Sequence, residues 1–410
     1  MILYLLLMLG LRHASVIKVG DGCEYPRIEQ AVAAAAPGDT IQVYGATAGY
    51  HRVAVKVDVA GITIQGMGPT RIVLDGVGFD YSGAGKVPRA VFQVDPSAAG
   101  TTIENFEISG AHNSTFNGAG IRINAADGVT VRDCDIHDCD MGIMSNGSSA
   151  ATGGSDQVIT RCRIHGNGSL KDPGFNHNLY LAGQSVTVRF CDIFGSLTGH
   201  NLKSRAHFIK VEYCFIHDAA NRELDLVEDN ATARPNSNAL LLGNLIVKDP
   251  ACSGNRVVIQ FGRETGMRTG TVYLINNTII TPFVSAVVSI TSPGCTARLY
   301  NNIICNQTSS RPRLLEGANG GSCLSAAGSG NWFSDGYSLQ GTNLLRSSQT
   351  FGRRRGESPF LGSRRVCALR VAPGVAHWRD GSGLVHDAVV RYRYAGAGKW
   401  RRSDGSHIGA

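Results

Sequence analysis

The chain has 410 residues, 43% of them hydrophobic and only 17% charged, with 51 Gly, 13 Pro and few aromatics. That balance excludes a disordered polyelectrolyte and suits many short strands joined by Gly- and Asn-rich turns. The net charge of +7 is local: residues 346–410 hold 13 Lys/Arg against 4 Asp/Glu, and the first 345 residues hold 26 against 28, with no module that reads nucleic acid.

The first eleven residues, Met1 to Leu11, are apolar. The run is too short to span a membrane, which takes about 20 residues. With Ala14 and Ser15 behind it, residues 1–15 read as a signal peptide without a basic start, and the expected location is secreted or periplasmic. No second apolar run of spanning length follows, so no membrane span is expected. From Tyr25 to Ala36, Ile28, Ala31 and Val32 share one helical face, and Pro37-Gly38 stops the helix. Such a helix shields the open edge of a first coil. Three alternating strands follow at 40–44, 53–57 and 61–65, and more from Val91 to Asn146, with Gly, Asn and Asp between them.

The repeat is clearest between Asn176 and Glu228. His-Asn-Leu-Tyr-Leu-Ala (177–182), His-Asn-Leu-Lys-Ser-Arg (200–205) and Arg-Glu-Leu-Asp-Leu-Val (222–227) recur 23 and 22 residues apart. Each alternates apolar and polar positions, as one strand of a solenoid coil does. Cys134, Cys162, Cys191 and Cys214 each stand two residues before an Ile and read as small apolar fillers stacked at one corner. No CxxC spacing supports a metal site there, and Cys252, Cys295, Cys305, Cys323 and Cys367 are free to pair. Asn244, Asn277 and Asn302 continue the corner as a structural amide ladder. Residues 16–345 thus read as one solenoid, and 346–410 as a basic, irregular segment folding back on the last coils.

"IEQAVAAAAPGDTIQV…GITIQGMGPTRIVLDG" resembles the opening of the pectate-lyase-like proteins. The resemblance implies an all-β fold: a single-stranded right-handed parallel β-helix with a short N-terminal capping helix. It extends over most of residues 16–308.

Parallel strands in register place equivalent residues of adjacent coils about 4.8 Å apart. The middle outward column then reads Arg122, Met144, Tyr180, Lys203, Asp225, Gln260. The column before it includes Asn178, Asn201 and Glu223, and the one after it includes Arg205. Long turns at 166–176, 228–237 and 263–270 flank these coils, and a groove of this form suits a polymer. Cleaving a uronic-acid polymer by β-elimination requires neutralising a carboxylate, removing the proton beside it and protonating the leaving oxygen. Lys203 is the candidate base, and Arg205 the carboxylate partner or acid. Tyr180 could share either proton transfer, and His200 lies close enough to titrate. Asn178, Asn201, His177, Arg122, Gln260 and Arg263 are candidate substrate-binding groups. Glu223 and Asp225 could hold Ca²⁺, a hard cation that prefers oxygen, or serve as the paired carboxylates of a hydrolase.

The stretch "NLKSRAHFIKVEYCFIHDAANRELDLVEDN" looks like the centre of the β-helix lyases that include chondroitinase B and alginate lyases, and Lys203 matches their catalytic lysine. It departs from them twice. Their arginine should fall near Asp225, and their calcium-binding acids should stand where Ser196-Leu197-Thr198-Gly199 stand here. The Asp-Asp pair and Gly-His-Gly of polygalacturonases and the Asp-Pro-His of mannuronan epimerases are absent. The expectation is a monomer that binds an acidic polysaccharide and cleaves it by β-elimination. The alternatives are a non-catalytic carbohydrate-binding or surface structural protein, and hydrolysis by Glu223 and Asp225.

Overall fold

The computed structural model describes residues 13–146, 153–228, 234–266, 268–307, 313–317 and 326–334, with isolated positions and short strands between 337 and 401. The chain divides into two compact units at Thr350 and Phe351. In the first, three short strands recur per coil, and every described pairing between coils is parallel. Ile, Val and Leu from successive coils fill one continuous lumen. The helix Ile28–Ala34 buries Ile28, Ala31 and Val32 against the first coils. Within the second unit, Trp378–Arg379 pairs antiparallel with Val385–His386, and Arg393–Ala395 with Lys399–Arg401. The leader reading of residues 1–12 lies outside the described residues, as does most of the segment expected to fold back.

One corner turns on a residue in the left-handed region, such as Arg161, Phe190, Tyr213 or Asn276, followed by a small or amide side chain that points inward. Cys134, Cys162, Cys191 and Cys214 are buried free thiols there. The thiols of Cys162, Cys191 and Cys214 each lie 3.7 Å from a carbonyl of the preceding coil. Cys252, Cys295 and Cys305 are buried, whereas Cys323 and Cys367 lie outside the described residues. From Cys214 onward amides take over. Asn244 donates to Asn277 at 2.9 Å, Asn277 to Asn302 at 3.1 Å, and Asn302 to Asn331 at 2.9 Å. Buried amides of this kind must be paired, and the ladder meets that requirement coil by coil.

The sheet that carries the candidate groups has ten described strands, from Val55–Val57 to Leu315–Glu316. Its register aligns Arg122 with Met144, Met144 with Tyr180, Tyr180 with Lys203, Lys203 with Asp225, and Asp225 with Gln260.

Candidate active site

Leu179–Leu181, Leu202–Ser204 and Leu224–Glu228 are the three central strands. Their leucines Leu179, Leu202 and Leu224 are fully buried in the lumen, which turns Tyr180, Lys203 and Asp225 to the other face. Lys203 Nζ lies 5.6 Å from the centre of the Tyr180 ring, and the Arg205 guanidinium carbon 5.2 Å from it. Both cations thus sit against one aromatic face. Asp225 Oδ2 is 3.8 Å from Lys203 Nζ.

A residue from a loop completes the cluster. Glu264 follows the strand Ile259–Arg263, and its backbone N–H donates to the Glu228 carbonyl at 2.9 Å. Its Oε1 accepts from Lys203 Nζ, and its Oε2 accepts from Arg205 Nε at 2.7 Å, with Nη2 at 2.5 Å. Lys203 and Arg205 therefore form a two-pronged carboxylate clamp, held here on the protein's own glutamate. The loop is further anchored by a fully buried ion pair of Arg268 with Glu228 at 3.2 Å. Glu264 escaped the sequence reading because it lies on no repeating column, and Arg222, in register with His177 and His200, was given no role there. The only signal was the unusual length of the turn at 263–270.

Asp225 is more enclosed than an exposed flank would allow, being 4% exposed. Arg222 Nη1 lies 3.5 Å from its Oδ1 and His200 Nε2 3.4 Å from its Oδ2. Burial raises its carboxyl above the ordinary value, while Arg222, Lys203 and Arg205 pull it back. Asp225 Oδ1 and Arg222 Nε, both buried, have no hydrogen-bond partner among the described residues.

Several expected roles need correction. Asn178, Asn201 and Glu223 are fully buried and do not line the outer face. Each precedes its strand at a corner and points inward. Asn167 donates to Asn178 at 2.9 Å, Asn178 to Asn201 at 2.8 Å, and Asn201 to Glu223 at 2.6 Å. Glu223 also accepts from the Ala219 N–H at 3.1 Å and lies 3.7 Å from the buried Lys248 ammonium. Burial pushes its carboxyl up to about 7, with Lys248 opposing. A Ca²⁺ shared by Glu223 and Asp225 does not fit: the first carboxylate is engaged inside the ladder, and the second is ringed by Lys203, Arg222 and His200. Among the described residues no group of three His, Cys, Asp or Glu could hold a metal ion. The pairing of Glu223 with Asp225 for hydrolysis fails for the same reason.

His177 and His200 are also buried, stacked with ring centres 5.0 Å apart. His177 Nδ1 accepts the His200 N–H at 3.0 Å, and His200 Nδ1 accepts the Arg222 N–H at 3.1 Å. The proton of each neutral ring therefore sits on Nε2. Burial pushes both imidazoles well below their ordinary value, and the nearby cations Lys203 and Arg205, or Arg222 and Lys203, push the same way. His200 is therefore enclosed beside Asp225, with Nε2 toward its Oδ2, and is not the surface group that the sequence reading expected. Gln260 is half-buried beside Asp225 and donates to the Arg263 carbonyl at 3.3 Å, while the Arg263 side chain is exposed. Arg122 stands three coils from Lys203, in a separate cleft.

Residues 90–279 match the family described as the right-handed β-helix region. The first unit is a right-handed parallel β-helix. No curated protein matches its sequence. Among solved structures, this β-helix is similar to DFA-IIIase from Arthrobacter chlorophenolicus A6 without its lid, in complex with GF2. The TM-score is 0.51 at 14% identity, covering 81% of this chain and 99% of that one. Pectate lyase Pel9A gives 0.49 at 13% identity over 91% of this chain and 88% of that one. The tailspike gp49 of Acinetobacter baumannii bacteriophage Fri1, a capsular polysaccharide depolymerase, gives 0.48 at 14% identity over 84% of this chain. The β-helix spans 64% of that tailspike's length. Among the described residues no helix is long and apolar enough to cross a membrane.

Proposed function

We propose that this β-helix binds an acidic, uronate-bearing polysaccharide on the Tyr180–Lys203–Asp225 face and cleaves it by β-elimination. The observation that carries the reading is the clamp: Lys203 and Arg205 already hold a carboxylate, that of Glu264, against the Tyr180 ring. A uronate carboxylate arriving there takes the place of Glu264 on Arg205, which leaves Lys203 beside its α-carbon. Arg205 then neutralises the carboxylate and stabilises the charge that develops when the neighbouring proton leaves. Lys203 in its amine form takes that α-proton, the bond to the β-oxygen breaks, and a carbon–carbon double bond forms. Tyr180 supplies the proton that the departing oxygen needs. Asp225 orients Lys203, and buried His200 holds Asp225.

A second reading, hydrolysis, is favoured by one observation. Asp225, with its carboxyl raised by burial, and Glu264 stand on either side of the Lys203 ammonium and could act as acid and base. Incubation with alginate, pectate and glycosaminoglycans separates the readings. Elimination yields ultraviolet absorbance from the unsaturated end, hydrolysis yields reducing ends without it, and a pure binding protein yields neither. Lys203→Ala should abolish turnover with the fold intact; a fully active variant removes Lys203 from the chemistry.

A further inference from the structure

We propose a second anion-binding site on the same sheet, one that takes a carboxylate or sulfate group of the saccharide chain further along the groove; it rests on the polysaccharide reading above. The site is a cleft of about 350 Å³ between residues 83–87 and the strands Val55–Val57, Ala90–Val94 and Ala119–Asn124. Lys56, Lys86, Arg89 and Arg122 line it against one carboxylate, Asp95. That carboxylate is already engaged. Gln93 and Asn124 both donate to its Oδ1 at 3.0 Å, and Lys56 Nζ lies 3.2 Å from Oδ2. The cleft therefore keeps an excess of positive charge, in a concavity that concentrates the field.

Arg122 is the informative member. Its side chain is buried, yet its Nε donates to the neutral Asn124 amide at 3.2 Å, and its Nη1 faces the Met144 thioether at 3.1 Å. A thioether is a weak acceptor, so the guanidinium fork spends its strongest directions on poor partners. Arg89 adds a second guanidinium, whose Nε donates to the Ser82 carbonyl at 3.2 Å. Two forks and two ammonium groups around one recess suit a planar carboxylate or a sulfate.

The register connects this cleft to the clamp. Arg122, Met144, Tyr180 and Lys203 are successive neighbours, so Arg122 and Lys203 are about 14 Å apart at about 4.8 Å per coil. Between them Met144 and Tyr180 pack on Ala90, Ala119 and Met141, a small apolar floor. Two cationic ends joined by an aromatic and apolar floor match an oligosaccharide with acidic groups spaced along its length.

The test is calorimetric titration with oligogalacturonates, oligomannuronates and chondroitin sulfate oligosaccharides of increasing length. The variants are Arg122→Gln, the surface pair Lys86→Gln/Arg89→Gln, which leaves the buried floor untouched, and Lys203→Met. Affinity should rise with length until an oligomer reaches about 14 Å, and both cleft variants should remove about tenfold of it. If an oligomer binds the native chain, weakens with Lys203→Met and is unaffected by both cleft variants, the cleft assignment falls and the clamp reading stands. If no acidic oligosaccharide of any length binds the native chain, the polysaccharide reading falls and takes the cleft with it.

Discussion

Replacing Glu264 by Ala should tighten the binding of acidic oligosaccharides, because it removes an internal competitor. In the native chain Oε2 of Glu264 holds Arg205 at 2.5 and 2.7 Å and Oε1 holds Lys203. The three side chains are 11% (Lys203), 23% (Arg205) and 28% (Glu264) exposed. The set therefore lies between an exposed ion pair, worth about 0–1 kcal/mol, and hydrogen bonds to charged groups, worth about 1.5–3 kcal/mol. At about 1–3 kcal/mol in favour of the occupied clamp, an incoming carboxylate finds it vacant in roughly one molecule in 5 to 150. Emptying it should raise affinity by that same factor, about 5- to 150-fold. The backbone should not follow the side chain, since the Glu264 N–H is tied to Glu228 and the loop to the buried Arg268 pair. Titration of native chain and variant with the same oligogalacturonate, oligomannuronate and chondroitin sulfate series reads this directly. Equal or weaker binding by the variant would refute the idea that the glutamate stands where a ligand carboxylate goes.

Above about pH 8, where the raised Glu223 carboxyl is ionised, Glu223→Gln should cost about 3–5 kcal/mol in urea unfolding, because it leaves buried Lys248 without its counter-charge. Adding Lys248→Met should recover most of that loss; a double variant weaker than the single one contradicts the pairing. His217 supplies a pH test. Burial alone would lower its imidazole, but hydrogen bonds to Asp192 and Asp218 overcome this and raise it to about 9, against 6.5 unfolded. Its contribution, about 3 kcal/mol, should be present in full below about pH 6.5 and lost as pH rises through about 9. Stability measured across that range should lose this slope in His217→Gln, and an unchanged slope assigns it to other groups. At Gly199 an added Cβ would run into the Asn176 carbonyl oxygen and His177 Nδ1. Gly199→Ala should therefore destabilise the chain by about 1–3 kcal/mol and weaken binding at the clamp; a thermal melt matching the native chain would show that the corner can shift.

Residues 177–227 carry their own register. Spacings of 23 and 22 residues, with Leu179, Leu202 and Leu224 inward, leave one way to stack three strands, and Tyr180, Lys203 and Asp225 become neighbours by counting alone. The corner stacks were legible for the same reason, since a cysteine or asparagine recurring at a coil's length has one place to go. Alternation, however, holds only within extended strands. Asn178, Asn201 and Glu223 each stand just before a strand begins, where the chain is still turning, so their side chains fold inward and hydrogen-bond to one another. Tertiary structure alone decided this, because a buried amide must find a partner and its neighbours one coil away supply it. The same holds for Glu264. A loop residue has no periodic position, and only the ties from Glu264 and Arg268 to Glu228 bring its carboxylate onto Lys203 and Arg205. The repeat in the sequence determined which coils meet; long-range polar pairing in the folded chain decided which charges face one another.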